Sequence, residues 1–270
     1  FYWEIGDQTA ALASGSVDSS TDPTVYTATT PMSIASASKW LYASYVVQRQ
    51  AGVLSDSDVR FLNFTSGYTS FTSCQPGQTV QQCVDSGTNG VYSPLTDGRF
   101  DYGGGHMEKH ASLIGLGPLD DAGLAAEIES QLGSDVELAY SQPQLAGGVV
   151  TSADNYASFL RKVLAGTLLM HDALGTHAVC TNPDTCPGAV GGPAPADESW
   201  HYSIGHWVED DPTVGDGAFS SAGSFGFYPW IDAPKTYYGI IARTASSGSG
   251  VDSVMCGRLI RKAWATAVAQ

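Results

Sequence analysis

Ser36 and Lys39, within Pro31-Met-Ser-Ile-Ala-Ser36-Ala-Ser-Lys39-Trp-Leu-Tyr42, stand three residues apart. On a helix three residues make about one turn, so the hydroxyl and the amine share a face and can meet. Trp40 to Val47 is almost wholly apolar, which predicts that a buried helix carries them. No acidic residue lies between Ser33 and Ser55, so Lys39 has no counterion in its own segment. Burial disfavours a lone ammonium, and a neutral amine one turn from a serine hydroxyl is a general base beside a nucleophile. That is the chemistry of acyl transfer through a covalent intermediate. The plain alternative is a capping serine and a lysine that snorkels to solvent.

The elements that must position this pair follow from pattern and punctuation. Phe1 to about Thr30 reads as strands, Tyr2-Trp-Glu-Ile5 and Ala11-Leu-Ala-Ser-Gly-Ser-Val17, with a turn at Gly6-Asp7. Gly52 is placed to end the apolar helix, and residues 56–105 read as irregular. Helices are expected at about 106–115, 120–132 and 152–165, the last capped by Ser152. After a loop at 171–200, Tyr202–Val208, Ser224–Ile231 and Tyr237–Arg243 read as strands, the last two joined at Asp232-Ala-Pro-Lys235. A helix over 251–268 closes the chain, with Val254, Met255, Leu259, Trp264 and Val268 read as one apolar side. Strands at both ends around a helical middle predict an α+β sandwich in one domain of 270 residues. Its antiparallel sheet lobe would be built from about 1–32 and 201–270, with flanking helices, and a mainly helical lobe would be inserted over about 33–200.

The net charge of −15 argues against nucleic acid or an anionic membrane as partner. No run reaches the roughly 18 apolar residues of a membrane span. Cys74 and Cys83, and Cys180 and Cys186, bracket polar, proline-containing loops. The simplest pairing is two short-range disulfides with Cys256 left over as a buried thiol, which predicts an oxidising compartment. The expectation is a secreted or periplasmic mature form without its signal segment, monomeric and free of metal and organic cofactors. Asn63-Phe-Thr65 is a glycosylation sequon.

Several motifs in order now resemble one family. Ser36-x-x-Lys39, Phe100-Asp-Tyr102-Gly-Gly, Gln144-Leu-Ala-Gly-Gly-Val-Val-Thr-Ser-Ala-Asp154, Tyr202-Ser-Ile-Gly-His-Trp207 and Ser221-Ala-Gly-Ser-Phe-Gly226 are together similar to the serine β-lactamases, penicillin-binding proteins and family VIII carboxylesterases, closest to the class C and esterase branch. The resemblance implies a β-lactamase-like fold across about 1–268. It implies Ser36 as nucleophile, Lys39 and Tyr102 as general acid and base, and the Ser36 and Ser224 amides as oxyanion hole. Ser221, Gly223, Phe225, Trp207 and His106 would contact substrate, with Trp40, Tyr228 and Trp230 as further aromatic walls.

The departures shape the substrate. Ser221 stands where the family's Lys-Thr-Gly has its cation, Gly104 where Tyr-x-Asn has its amide, and no Glu-x-x-Leu-Asn motif is present. Arg243 is the candidate replacement cation. These gaps favour a small or oligomeric ester or amide with an uncharged acyl group over a β-lactam or a D-Ala-D-Ala peptide.

Three rivals remain. Ala222-Gly-Ser224-Phe-Gly226 could be a nucleophile elbow, but all six histidines precede Ser224, against the order that fold needs. His106 and His110, with His201 and His206, could hold a metal, although Glu108 is one place off the His-Glu-x-x-His register. A non-catalytic binding relative would tolerate the lost cation and amide.

Overall fold

The chain opens with a hairpin of β1 (Tyr2–Gly6) and β2 (Ala11–Ser16). Asp7 closes its turn, accepting from the Thr9 and Ala10 amides. The structure, a computed structural model, describes residues 1–19, 23–195, 197–245 and 250–270. The strand reading of 1–30 therefore includes 20–22, which lie outside the described residues. A short β3 (Met32–Ser33) leads through a 3₁₀ turn at Ala35–Ala37 into α1 (Ser38–Arg49). Every side chain of α1 from Ser38 to Val47 is buried, as its apolar run predicts. Gly52 stops it with φ 81°, its amide donating back to the Val47 carbonyl.

Residues 56–105 are more ordered than expected. They contain α2 (Asp56–Leu62) and α3 (Val80–Val84), each begun by a capping box, Ser55 with Asp58 and Thr79 with Gln82. Both helices are too short to show periodicity, so the caps were their only sequence signal. Next come β4 (Phe100–Asp101) and α4 (Gly105–Ala111); the chain leaves α-helical geometry at Ser112–Leu116, where Gly115 takes φ 95°. Then α5 (Asp121–Leu132), β5 (Ala139–Tyr140), β6 (Val149–Thr151) and α6 (Ala153–Leu164) follow. The Ser152 side chain caps α6 by accepting from the Asn155 amide. The middle of the chain ends with α7 (Met170–Ala173), β7 (Val179–Cys180) and β8 (Ala189–Gly191).

The last third supplies β9 (His201–Tyr202), β10 (Trp207–Glu209), β11 (Ala218–Ser220), β12 (Tyr228–Ile231), β13 (Tyr238–Ala242) and α8 (Gly250–Thr266). The main sheet has eight strands in the order β2-β1-β13-β12-β11-β10-β9-β7, all antiparallel. The chain ends meet where β1 pairs with β13, Tyr2 opposite Ala242. The far edge, β7, comes from within the residues expected to form the helical lobe. Alternate residues of β13 face opposite sides. Tyr238 meets Arg161 of α6, and Ile241 lies beside Gly257 of α8, so the sheet is covered on both faces.

Two expected strands are shorter than their patterns suggested. Tyr202–Val208 is interrupted by a turn at 203–206 in which Gly205 holds φ 69°. A Cβ there would lie 2.3 Å from Ala43 Cβ and 2.8 Å from the Lys39 carbonyl, so the turn lies directly on α1. Ser224–Ile231 is strand only from Tyr228, because Ser224–Gly226 forms a turn after the unanticipated β11. Gly205→Ala is accordingly expected to cost about 3 kcal/mol through the clash and the left-handed backbone together. A chemical-denaturation midpoint equal to that of the native chain would refute this reading.

α8 does not bury the side expected of it. Val254 is buried, but Met255, Leu259, Trp264 and Val268 are exposed. The helix instead packs through Ser253, Val254, Gly257 and Arg261. Gly257 lies against the Tyr228 ring, and Arg258 and Arg261 pair with Glu198 and Glu209 at 2.7 and 2.9 Å. Two arginines are thus matched by buried carboxylates distant in sequence.

The cysteines pair as Cys74–Cys83 and Cys180–Cys186. Cys256 is free and half-buried rather than fully buried. The Asn63 side chain is buried and bonded to the His177 carbonyl and to Thr65, so the sequon is not presented to solvent. Among the described residues no helix is long and apolar enough to cross a membrane.

Candidate active site

Ser36 is the middle residue of the 3₁₀ turn ahead of α1, and the residue before it, Ala35, takes φ 44°. A non-glycine residue in the left-handed region is strained, and such strain concentrates at functional turns. The turn is held by Ser38, whose hydroxyl donates to the Ala35 carbonyl at 2.6 Å and accepts from the Val149 amide at 3.2 Å. Of the two serines in the motif, Ser38 is therefore occupied by backbone, whereas Ser36 faces the cleft.

Lys39 is 4% exposed, and its Nζ lies 2.9 Å from Ser36 Oγ and donates to the Ala146 carbonyl at 2.7 Å. Burial brings its proton affinity down to about 7, with Glu108 pulling the other way. The absence of acidic residues in its own segment thus did not mean absence of a nearby carboxyl. Glu108 arrives from α4, fully buried.

Tyr102 completes the cluster. Its ring centre is 5.0 Å from Lys39 Nζ, and it stacks on Trp207 at 5.4 Å and 17°. Burial pushes its hydroxyl up to about 12, opposed by hydrogen bonds with Ser36 and Trp207. The glycines after it let the segment pass close to its neighbours. A Cβ on Gly103 or Gly105 would come within 2.3 Å of the Thr69 or Ser70 carbonyl. At Gly104 the space where an asparagine side chain would begin meets the Phe71 ring at 3.1 Å.

Ser36 opens into a cavity of about 270 Å³ whose lining includes Pro193, Pro195, Trp200, Trp207, Val251 and Val254, with Ser224 as a second polar residue. The Ser36 amide lies in the first turn of a helix, where N–H groups lack helical partners. The Ser224 amide has no backbone acceptor among the described residues. Two such N–H groups bordering one cavity can receive an oxyanion.

Other expected contacts fall elsewhere. Ser221 donates to the Ser36 carbonyl at 3.1 Å and so braces the turn. Gly223 allows close approach, since a Cβ there would meet the Ile34 carbonyl at 2.1 Å. Phe225 is 40% exposed and is not part of the cavity wall. Trp40, Tyr228 and Trp230 are core residues; Trp40, for instance, stacks on His206. Their aromatic role in the wall is taken by Trp200, whose partner prolines lie in a loop that carried no periodic signal. Arg243 reaches Ser253 at 3.0 Å and faces Asp252, not the cavity.

His106 does not line the cleft. It is fully buried against Phe64, with Ser66 2.6 Å from its Nδ1 and the Asp101 carbonyl 3.0 Å from its Nε2. His110 lies between the Tyr42 hydroxyl and Asp58, at 2.8 and 2.9 Å. The two imidazoles therefore belong to separate networks. His201 pairs with Asp210 on another part of the surface.

The fold that carries this arrangement is that of the β-lactamase and penicillin-binding-protein-like serine hydrolases. A Bacteroides dorei protein provisionally classed as a β-lactamase superposes with a TM-score of 0.70 at 18% identity, over 97% of this chain and 92% of that one. A penicillin-binding protein from Bacillus halodurans gives 0.69 at 12% identity, over 96% and 95%. A D-stereospecific amidohydrolase from Streptomyces gives 0.64 at 13% identity, over 95% and 93%. No protein-family model matches the chain, and no curated protein is similar to it in sequence.

Proposed function

We propose that the chain is a secreted serine hydrolase that cleaves an ester or amide through an acyl-enzyme on Ser36. The observation that carries this is Lys39 Nζ, a buried amine 2.9 Å from Ser36 Oγ at the mouth of an apolar cavity. In this reading the neutral amine takes the hydroxyl proton as Oγ attacks the carbonyl carbon. The tetrahedral oxyanion is received by the Ser36 and Ser224 amides. Collapse breaks the bond to the leaving group, to which Tyr102 delivers a proton that Lys39 replaces. Water then attacks the acyl carbonyl, and the same groups run the proton transfers in reverse to free Ser36.

The cavity wall favours an uncharged, apolar acyl or leaving group. β-Lactams and D-Ala-D-Ala peptides carry a carboxylate, and among the described residues no Lys or Arg lines this cavity. The two disulfides fit an oxidising compartment.

A fluorophosphonate probe and a series of p-nitrophenyl esters test the proposal. Labelling at Ser36 and turnover of apolar esters are the expected results; no labelling and no turnover at any acyl length would refute it. The base must be unprotonated to act, and Lys39 gains its proton as pH falls below about 7. The rate is therefore expected to drop about tenfold per unit below that pH. A profile flat down to about pH 5 would exclude the lysine as base.

A further inference from the structure

We propose that Glu108 is the positioning residue for Lys39, holding a proton of its own so that the amine it places against Ser36 stays uncharged. This rests on the serine hydrolase reading above. Glu108 lies on α4 and is 0% exposed. Its Oε1 accepts from the Ala146 amide at 3.1 Å, while the carbonyl of the same residue accepts from Lys39 Nζ at 2.7 Å. Ala146 is thus clamped between carboxyl and amine. Loss of the clamp would release the carbonyl that aims Nζ at Ser36 Oγ.

The protonation state follows from what the carboxyl lacks. Although the Leu145 amide bears on the carboxyl, Glu108 Oε2 is buried and accepts no well-aligned hydrogen bond among the described residues. Lys39 makes no ion pair among them either; Glu108 acts on it through space rather than in contact. An anionic carboxylate facing an ammonium in the interior would be expected to close on it, and one bare oxygen is costly to leave charged. A protonated carboxyl and a free amine avoid both penalties.

The groups facing Glu108 support the same state. Lys39 and Tyr42 come from α1 and Tyr140 from β5, and Tyr42 in turn meets the His110–Asp58 pair. Of the groups that face the carboxyl directly, Lys39 alone could carry a positive charge to offset an anion. Burial pushes Glu108 up to about 8, opposed by the Ala146 and Leu145 amides and by Lys39.

The test uses the full chain with Glu108→Leu and Glu108→Gln. Leucine removes the acceptor for the Ala146 amide and is expected to lower kcat about 10²-fold with KM little changed. Glutamine keeps a neutral acceptor at Oε1 and is expected to recover the rate to within about threefold of native. Its acid limb should stay where the native limb lies. Infrared difference spectra of native against Glu108→Gln protein should show a protonated-carboxyl band at pH 7. If Glu108→Gln is as inactive as Glu108→Leu, or moves the acid limb down by about a unit or more, Glu108 is an anionic counterion and the proposal fails. A Glu108→Leu protein with the native rate also overturns it. If the native chain neither labels at Ser36 nor turns over any ester, it is the hydrolase reading that fails. The infrared band then decides the state of Glu108 alone, and its absence overturns the proposal.

Discussion

Ser36→Ala is expected to end covalent labelling and to cut ester turnover by about 10⁴-fold or more, the scale of nucleophile removal in serine hydrolases. The size of the effect follows from how few hydroxyls could substitute. Ser38 is committed to the Ala35 carbonyl and the Val149 amide, and Ser221 to the Ser36 carbonyl. Ser224 borders the same cavity, but Lys39 Nζ lies against Ser36 Oγ and the Ala146 carbonyl and makes no hydrogen bond to Ser224 among the described residues. Ser36 is itself partly exposed, so losing one oxygen opens no core cavity. The variant should keep its stability to within about 0.5 kcal/mol, which separates chemistry from folding. Intact-protein mass after incubation with a fluorophosphonate reads the result. A label retained by the alanine variant would transfer the nucleophile to another residue, with Ser224 the first to examine.

Lys39→Arg carries the second large effect, a loss of about 10³-fold or more, since a positioned general base contributes about 10² to 10⁴. Arginine keeps the positive head and the hydrogen-bond donors but does not give up its proton in proteins. The contrast is sharp because Lys39 sits where an amine becomes neutral near pH 7. If the lysine only donated hydrogen bonds to Ser36 and the Ala146 carbonyl, arginine would preserve much of the rate. Lys39→Ala run in parallel removes donor and base together. The two variants should be equally inactive, with circular dichroism confirming that each folds. Arginine retaining more than about a tenth of the native rate would exclude deprotonation as the function of this side chain.

Local signals carried a large part of the architecture. The apolar run after Lys39 specified α1, and Ser152 marked the start of α6. Cysteines nine and six residues apart marked their own partners. Readings failed where a distant element overrode the local pattern. Tyr202–Val208 alternates like a strand, yet α1 presses on it and only a glycine turn fits beneath. The burial of Arg258 and Arg261 carries no local signal, because Glu198 and Glu209, distant in sequence, supply what permits it. In the sequence Glu108 stands out only through its place between His106 and His110. Its place beside the buried Met107 and one turn from Ala111 was the available sign that it faces inward.

The sequence by itself determined the pairing of hydroxyl and amine at Ser36 and Lys39. A three-residue interval on a helix is short-range geometry that needs no information from the rest of the chain. Only the tertiary structure decided what that pair can do. It brought the Tyr102 ring to 5.0 Å from the amine and braced Ser36 from Ser221. It joined Lys39 to a carbonyl 107 residues away. It also set Glu108 across that same residue. Whether an amine is a cation or a base depends on the water it has lost and the groups that replace it, and those come together only when the chain has folded.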